Sequence, residues 1–196
     1  LYIIKKENFS DAKNLYIKNY LWIDNGYNPN VRVKLIYDEI GFLIKFMVYE
    51  TNPQAEYCEH FSPVNNDSCV EWFVNFQPET NEGYFNFETN SKGIMNVCFR
   101  KSRNEKIGFL SLEDIKSFNI DTVIYDDHWE IQYKIPFEFI KKFIPDFYMG
   151  NGKIIKANFY KCGDKTFAEH YACWNMIECD SPDFHRPEYF GELKVE

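Results

Sequence analysis

Apolar residues recur with a period of two along most of the chain, the spacing of half-buried strands. Residues 31–37 read VRVKLIY, and after a turn at 38–41 the run FLIKFMVYE is apolar on nearly both faces. Together they predict a hairpin whose second strand is central in its sheet. In residues 69–76 (CVEWFVNF), Val70, Trp72, Val74 and Phe76 share one face, and Cys69, Glu71, Phe73 and Asn75 the other. Residues 84–90 separate more sharply, with Phe85 and Phe87 against Tyr84, Asn86, Glu88 and Asn90. Residues 129–135 (WEIQYKI) set Trp129, Ile131, Tyr133 and Ile135 inward and Glu130, Gln132 and Lys134 outward. Further strands are expected at 94–100, 153–162, 170–177 and 190–195.

Helical spacing is scarce. Residues 136–143 (PFEFIKKF) place Pro at a first-turn position, and 112–118 suit another turn or two. Many short strands without alternating long helices predict an all-β, antiparallel β-sandwich with one or two short helices. The longest loops are expected at 52–67 and 101–121. No repeat or low-complexity tract divides the chain, so residues 1–196 are read as a single domain.

Composition sharpens this picture in one respect. Aromatic residues make up 19% of the chain, including 19 Phe and 14 Tyr. They suit pleated strands and leave ring faces to spare for a ligand. A net charge of −8, with no long Lys/Arg run, speaks against nucleic acid as a partner. No apolar stretch approaches the roughly 18 residues of a membrane span. The six cysteines form no CxxC pair, so neither a zinc ribbon nor a redox motif is indicated. Several fall inside apolar strand patterns, which favours reduced, structural thiols and a cytoplasmic location; export would need a leader ahead of Leu1.

The row Tyr84, Asn86, Glu88 and Asn90 offers the donors and acceptors that sugar hydroxyls need, or else forms a solvated outer face. Glu71 sits among apolar neighbours, where an unpaired carboxylate is costly, and Arg100 is the candidate partner for it or for Glu88. His170 and Trp174 share a strand face, and the Trp174 ring suits stacking on a pyranose more than packing in a core. Trp72 and Trp129 read as core, whereas Trp22 before a polar turn fits either role. Carboxylates at Glu71, Glu88, Asp126, Asp127 and Glu169 are numerous enough for a glycosidase pair, yet no nucleophile, metalloprotease or phosphate-loop motif is present. The acids of residues 125–128 (YDDH) are weak calcium-ligand candidates.

Four segments in order carry a resemblance: 67–74 (DSCVEWFV), 83–88 (GYFNFE), 157–162 (ANFYKC) and 184–191 (FHRPEYFG). They resemble the family 9-like carbohydrate-binding modules, from about Trp22 to the C-terminus. The resemblance implies a β-sandwich of immunoglobulin-like or DOMON-like type and sugar as the ligand, bound without catalysis. It implies rings clamping a terminal sugar while charged and amide groups hold the hydroxyls; no cofactor is expected, though structural calcium is common in the family. Carried onto matching positions, the ligand contacts are Glu71, Asn86, Glu88, Arg100, His170 and Trp174. The second clamp ring is left among Trp22, Tyr57 and Trp72, and Gln54 stands where relatives carry Arg. Residues 184–191 are expected mainly to lock the last strand. Two other readings remain open: a sugar-acting enzyme with Glu71 or Glu88 as acid/base, and an interaction domain whose sugar site has decayed.

Overall fold

The computed structural model describes residues 1–196. In chain order its strands are β1 (Tyr2–Ile4), β2 (Leu15–Ile17), β3 (Asn19–Tyr20), β4 (Asn30–Tyr37), β5 (Gly41–Tyr49), β6 (Cys69–Asn75), β7 (Tyr84–Asn90), β8 (Met95–Arg100) and β9 (Lys106–Phe109). Helix α1 (Leu112–Ser117), β10 (Asp121–Ile124), β11 (Trp129–Pro136), helix α2 (Phe137–Phe143), β12 (Ile154–Cys162), β13 (Tyr171–Cys173) and β14 (Gly191–Val195) follow. One sheet runs β10-β11-β5-β4-β2. The other runs β1-β14-β12-β6-β7-β8-β9, with β13 and β3 extending from the second half of β12. Every pairing is antiparallel except β1 with β14. No helix is long and apolar enough to cross a membrane.

The expected hairpin is β4–β5, and β5 is central between β4 and β11. Its turn closes on the Asp38 carboxylate, which accepts the N–H groups of Ile40 and Gly41 at 2.9 Å each. Gly41 is required by crowding: a Cβ there would stand 2.5 Å from the Ile135 carbonyl of β11. Both short helices form where the sequence places them. Ser111 and Asp114 make a reciprocal capping box at the start of α1.

Between the sheets lies a core of 36 buried residues, including Phe42, Phe46, Trp72, Phe87, Trp129 and Phe159. Trp72 stacks between Phe87 and Phe159, its register partners on the flanking strands. The outer face of β6 and β7 is not solvated. It carries a second buried cluster with Phe73, Tyr84, Tyr160, Tyr171, Phe184 and Phe190. Asn86 and Asn90 are fully buried and Glu88 nearly so, because the chain before β6 and the chain after β13 fold across this face.

The 101–121 region, expected as loop apart from the helical turn at 112–118, also contains β9, and β1, β2, β3 and β10 are additional too. These strands are short or charge-rich and gain order from pairing at sheet margins rather than from their own pattern. The strand expected at 170–177 shortens to Tyr171–Cys173. Asn158 on β12 explains the stop. Its side chain accepts the Asn175 N–H and donates to the Asn175 carbonyl, both at 2.9 Å, turning the chain off the sheet.

Candidate functional site

Over the outer face of β6, β7 and β8 lies a cavity of about 250 Å³. Alternation along the strands aims Glu71 and Phe73, Glu88, and Arg100 at it. The overlying chain supplies Trp22, Asn65, Asp164, Asp183, Phe184 and His185.

One polar chain organises the β7–β8 side. Arg100 Nε donates to Asn86 Oδ1 at 2.9 Å, Asn86 Nδ2 donates to Glu88 Oε1 at 2.6 Å, and Asn96 Nδ2 donates to Glu88 Oε2 at 2.8 Å. Arg100 Nη1 donates to the Arg103 carbonyl at 2.7 Å, and Arg103 in turn pairs with Asp183 at 3.0 Å. Arg100 is 94% buried (6% exposed) and makes no carboxylate ion pair, so its guanidinium is a fixed donor at the cavity.

The acids are unusual. Glu71 and Glu88 face each other across the β6–β7 ladder. Burial, and then the Glu88 charge, hold the Glu71 carboxyl well above its ordinary range. Burial also raises Glu88 against the donors from Asn96 and Asn86. Asp164 is raised by burial while accepting from Asn65 at 2.9 Å. His185 is held neutral, its pKa lowered to about 3 by burial and then by the Arg100, Arg103 and Lys106 charges. Its Nδ1 lies 3.0 Å from the Tyr84 hydroxyl.

The apolar wall is Trp22 with Phe184, ring centroids 5.7 Å apart. Trp22 adopts a left-handed backbone (φ 65°), rare for a bulky residue. Its indole N–H donates to the Cys179 carbonyl at 2.7 Å, and Tyr171 meets the ring edge-on at 5.6 Å. Phe184 is backed by Tyr160, stacked at 4.2 Å. The wall is therefore rigid before any ligand arrives.

Of the six residues expected to touch ligand, Glu71, Glu88 and Arg100 line this cavity, and Asn86 sits behind them holding Arg100 to Glu88. His170 and Trp174, expected to join them, do not line this cavity. Trp174 lies over Gly191, where a Cβ would meet its ring at 2.5 Å, and edge-on to Phe159 of the core. His170 is buried on the inner face, Nε2 2.7 Å from Lys161 Nζ and Nδ1 2.7 Å from the Ala168 carbonyl. Beside it Glu50 accepts from Ser68, Tyr27 and Trp129. Burial pushes Glu50 up, but the Lys161 charge and these donors win and hold it near 2.

Among the clamp candidates, Trp22 lines the cavity, Trp72 is core, and Tyr57 accepts from Asn66 away from it. Gln54 also stands apart, accepting from the Phe167 N–H and donating to the Lys165 carbonyl. Residues 184–191 do more than lock β14, since Phe184 and His185 face the cavity. Asn65, Asn96, Arg103, Asp164 and Asp183 escaped the sequence reading. Only Asn96 had a signal, its alternation with Cys98 and Arg100. Of the YDDH acids, Asp127 is turned to His128, its Oδ1 2.6 Å from the ring Nδ1.

A two-sheet sandwich with a buried polar cavity under an aromatic wall defines a ligand-binding β-module. The sequence profile of Carbohydrate-binding family 9 matches residues 4–195, and the chain belongs to that family. Solved structures agree on the fold. A provisionally assigned carbohydrate-binding protein from Bacteroides uniformis is 25% identical, with a TM-score of 0.83 over 100% of this chain and 98% of that one. A carbohydrate-binding module of family 9 from Caldicellulosiruptor kristjanssonii, in complex with glucose, is 14% identical, with a TM-score of 0.69 over 99% of this chain and 94% of that one. A carbohydrate-binding module of family 9 from the same organism, in complex with cellotriose, gives 13% identity and a TM-score of 0.69, over 100% of this chain and 93% of that one. Among curated proteins none matches the chain significantly.

Proposed function

We propose that the chain binds a neutral sugar without catalysis, one pyranose ring lying against Trp22 and Phe184. Arg100, Arg103 and Asn96 donate to its hydroxyls, and Glu88 and Asp164 accept from them. The observation that carries this reading is the preset Arg100–Asn86–Glu88 chain beneath a rigid aromatic wall, a donor and an acceptor held side by side. A cavity of about 250 Å³ is small against the roughly 300–1,000 Å³ of drug-sized pockets, which favours a monosaccharide or the terminal residue of a chain. The glucose and cellotriose of the family 9 structures make β-glucosides the first candidates.

Placement of the acids favours binding over hydrolysis. A glycosidase pair flanks the scissile bond from two sides. Glu71 and Glu88 instead stand on one wall as direct cross-strand partners, and Glu88 is already engaged by two amides.

Calorimetry against mono- and disaccharides, glucose and cellobiose included, tests the proposal. Saturable heat is expected, with Arg100→Ala and Trp22→Ala each weakening binding more than tenfold. Heat with neither variant affected would move the site, and no heat with any sugar would overturn the reading. Release of aryl alcohol from aryl glycosides, lost in Glu71→Gln, would restore the enzyme.

A further inference from the structure

At the floor of the cavity lies a cluster that hydroxyl binding does not explain. Cys69 and Glu71 are two residues apart on the outer face of β6, and Cys162 stands opposite Cys69 in register on β12. One donor atom from each lies within 4.8 Å of the other two, with Cys162 Sγ 3.1 Å from Glu71 Oε1. All three side chains are buried, yet Glu71 and Cys162 also line the cavity, so the cluster has an open side.

The carboxyl lacks the partner its burial demands. Glu71 is 3% exposed, its one hydrogen-bond partner is the Cys162 thiol, and no cation lies within ion-pair distance. The nearby ammonium of Lys161 is committed to Ser68, His170 and the Cys162 carbonyl. A buried carboxyl whose only partner is a thiol, a weak donor, is left under-satisfied in this interior. Divalent zinc supplies what is missing. Around a tetrahedral Zn²⁺ with bonds of about 2.0–2.3 Å, neighbouring donors stand roughly 3.3–3.8 Å apart, a spacing that the present separations of 4.8 Å or less approach. Two sulfurs select against calcium and magnesium, which take oxygen ligands.

We propose that Cys69, Glu71 and Cys162 bind a borderline-soft divalent cation of the zinc type, with the fourth coordination position facing the cavity. Water fills that position, or the Asp164 carboxylate, which lines the cavity beside Cys162. Binding releases the two thiol protons to solvent, and the Glu71 proton where it is held, leaving two thiolates and a carboxylate on the ion. The proposal does not rest on sugar binding.

The test is titration of the chelator-treated chain with Co²⁺ in a phosphine reductant, followed by exchange for Zn²⁺. One equivalent is expected, with thiolate-to-cobalt charge transfer in the near ultraviolet and the intense visible bands of four-coordinate Co²⁺. Cys69→Ser and Cys162→Ser should each abolish the charge transfer at one equivalent, whereas the Cys58→Ser/Cys179→Ser double variant, which spares the cluster, should keep it. Glu71→Gln should weaken binding at least tenfold. X-ray absorption of the zinc-loaded wild-type chain should count two sulfurs and two lighter atoms, a readout that stands even where a serine variant does not fold. No charge transfer, a band lost only with Cys58 and Cys179, or a shell without sulfur would overturn the site. Sugar heats measured on the metal-free chain test the sugar reading separately.

Discussion

Trp22 and Trp174 show how little residue type decides about role. Trp22 is held at a left-handed backbone with its indole N–H tied to Cys179, so its face is presented to the cavity. Trp174 covers Gly191 and abuts Phe159, a packing role. Trp174→Ala is therefore expected to lower stability by about 2–4 kcal/mol, below the usual cost of a fully buried Trp because the ring is partly exposed. Denaturant melts measure this, and sugar affinity of the folded fraction should stay unchanged. Trp22→Ala should weaken sugar binding as well as stability, because its ring is also partly buried and packed on Tyr171 and Phe184. His185 adds a pH signature. Its folded pKa, about 3 against an ordinary 6.5, means that the unfolded chain takes up the proton first. The neutral ring's contribution is complete above pH 6.5 and is lost as pH falls from 6.5 toward 3, with a slope approaching 1.4 kcal/mol per pH unit. His185→Gln should flatten the stability profile across that window relative to wild type, as urea melts at pH 7, 6, 5 and 4 would show.

At the scale of elements, β6 and β7 were legible in face and nearly in length, since strict alternation leaves one choice of register parity. What lies over their outer face was not. Tyr84, Asn86, Glu88 and Asn90 read equally as a solvated face, and the chain around Phe184 and Trp22 that covers them carries no periodic signal. Helix α2 was legible from Pro136 and the helical spacing after it, and α1 from the spacing of residues 112–118; the Ser111 cap of α1 emerged only in the structure. Ser111→Ala removes one side of the capping box and should cost about 1 kcal/mol in chemical denaturation. Gly41→Ala is expected to cost more, because its Cβ meets a backbone carbonyl of β11 that cannot rotate away. A Gly41→Ala chain as stable as wild type would show that the β5–β11 approach is looser than 2.5 Å implies.

Over the whole molecule, the sandwich separates a core that carries stability from a covered outer face that holds the candidate site. A sugar at a hundred times its Kd stabilises the native state by about 2.7 kcal/mol, which thermal melts should register as a raised Tm. The shift should survive in Trp174→Ala, although that variant melts lower, and at the same sugar concentration fall to about half or less in Arg100→Ala. Either result reversed would take the ligand away from the cavity over β6–β8.

Alternation and turn residues determined the longer strands, the central hairpin, the two helices and the fold class, because each is written in neighbouring residues, whereas the marginal strands β1, β2, β3, β9 and β10 were not. Four of the six expected contacts, Glu71, Asn86, Glu88 and Arg100, also lie on strands whose faces alternation settles. Tertiary structure alone decided that Trp22 rather than Trp174 reaches the cavity, that His170 belongs to the Glu50–Lys161 interior, and that Cys69 meets Cys162 beside Glu71. Each of these joins residues far apart along the chain. Local pattern records which face a side chain takes, while the partner across the gap is set by sheet order and by the path of the chain that covers it.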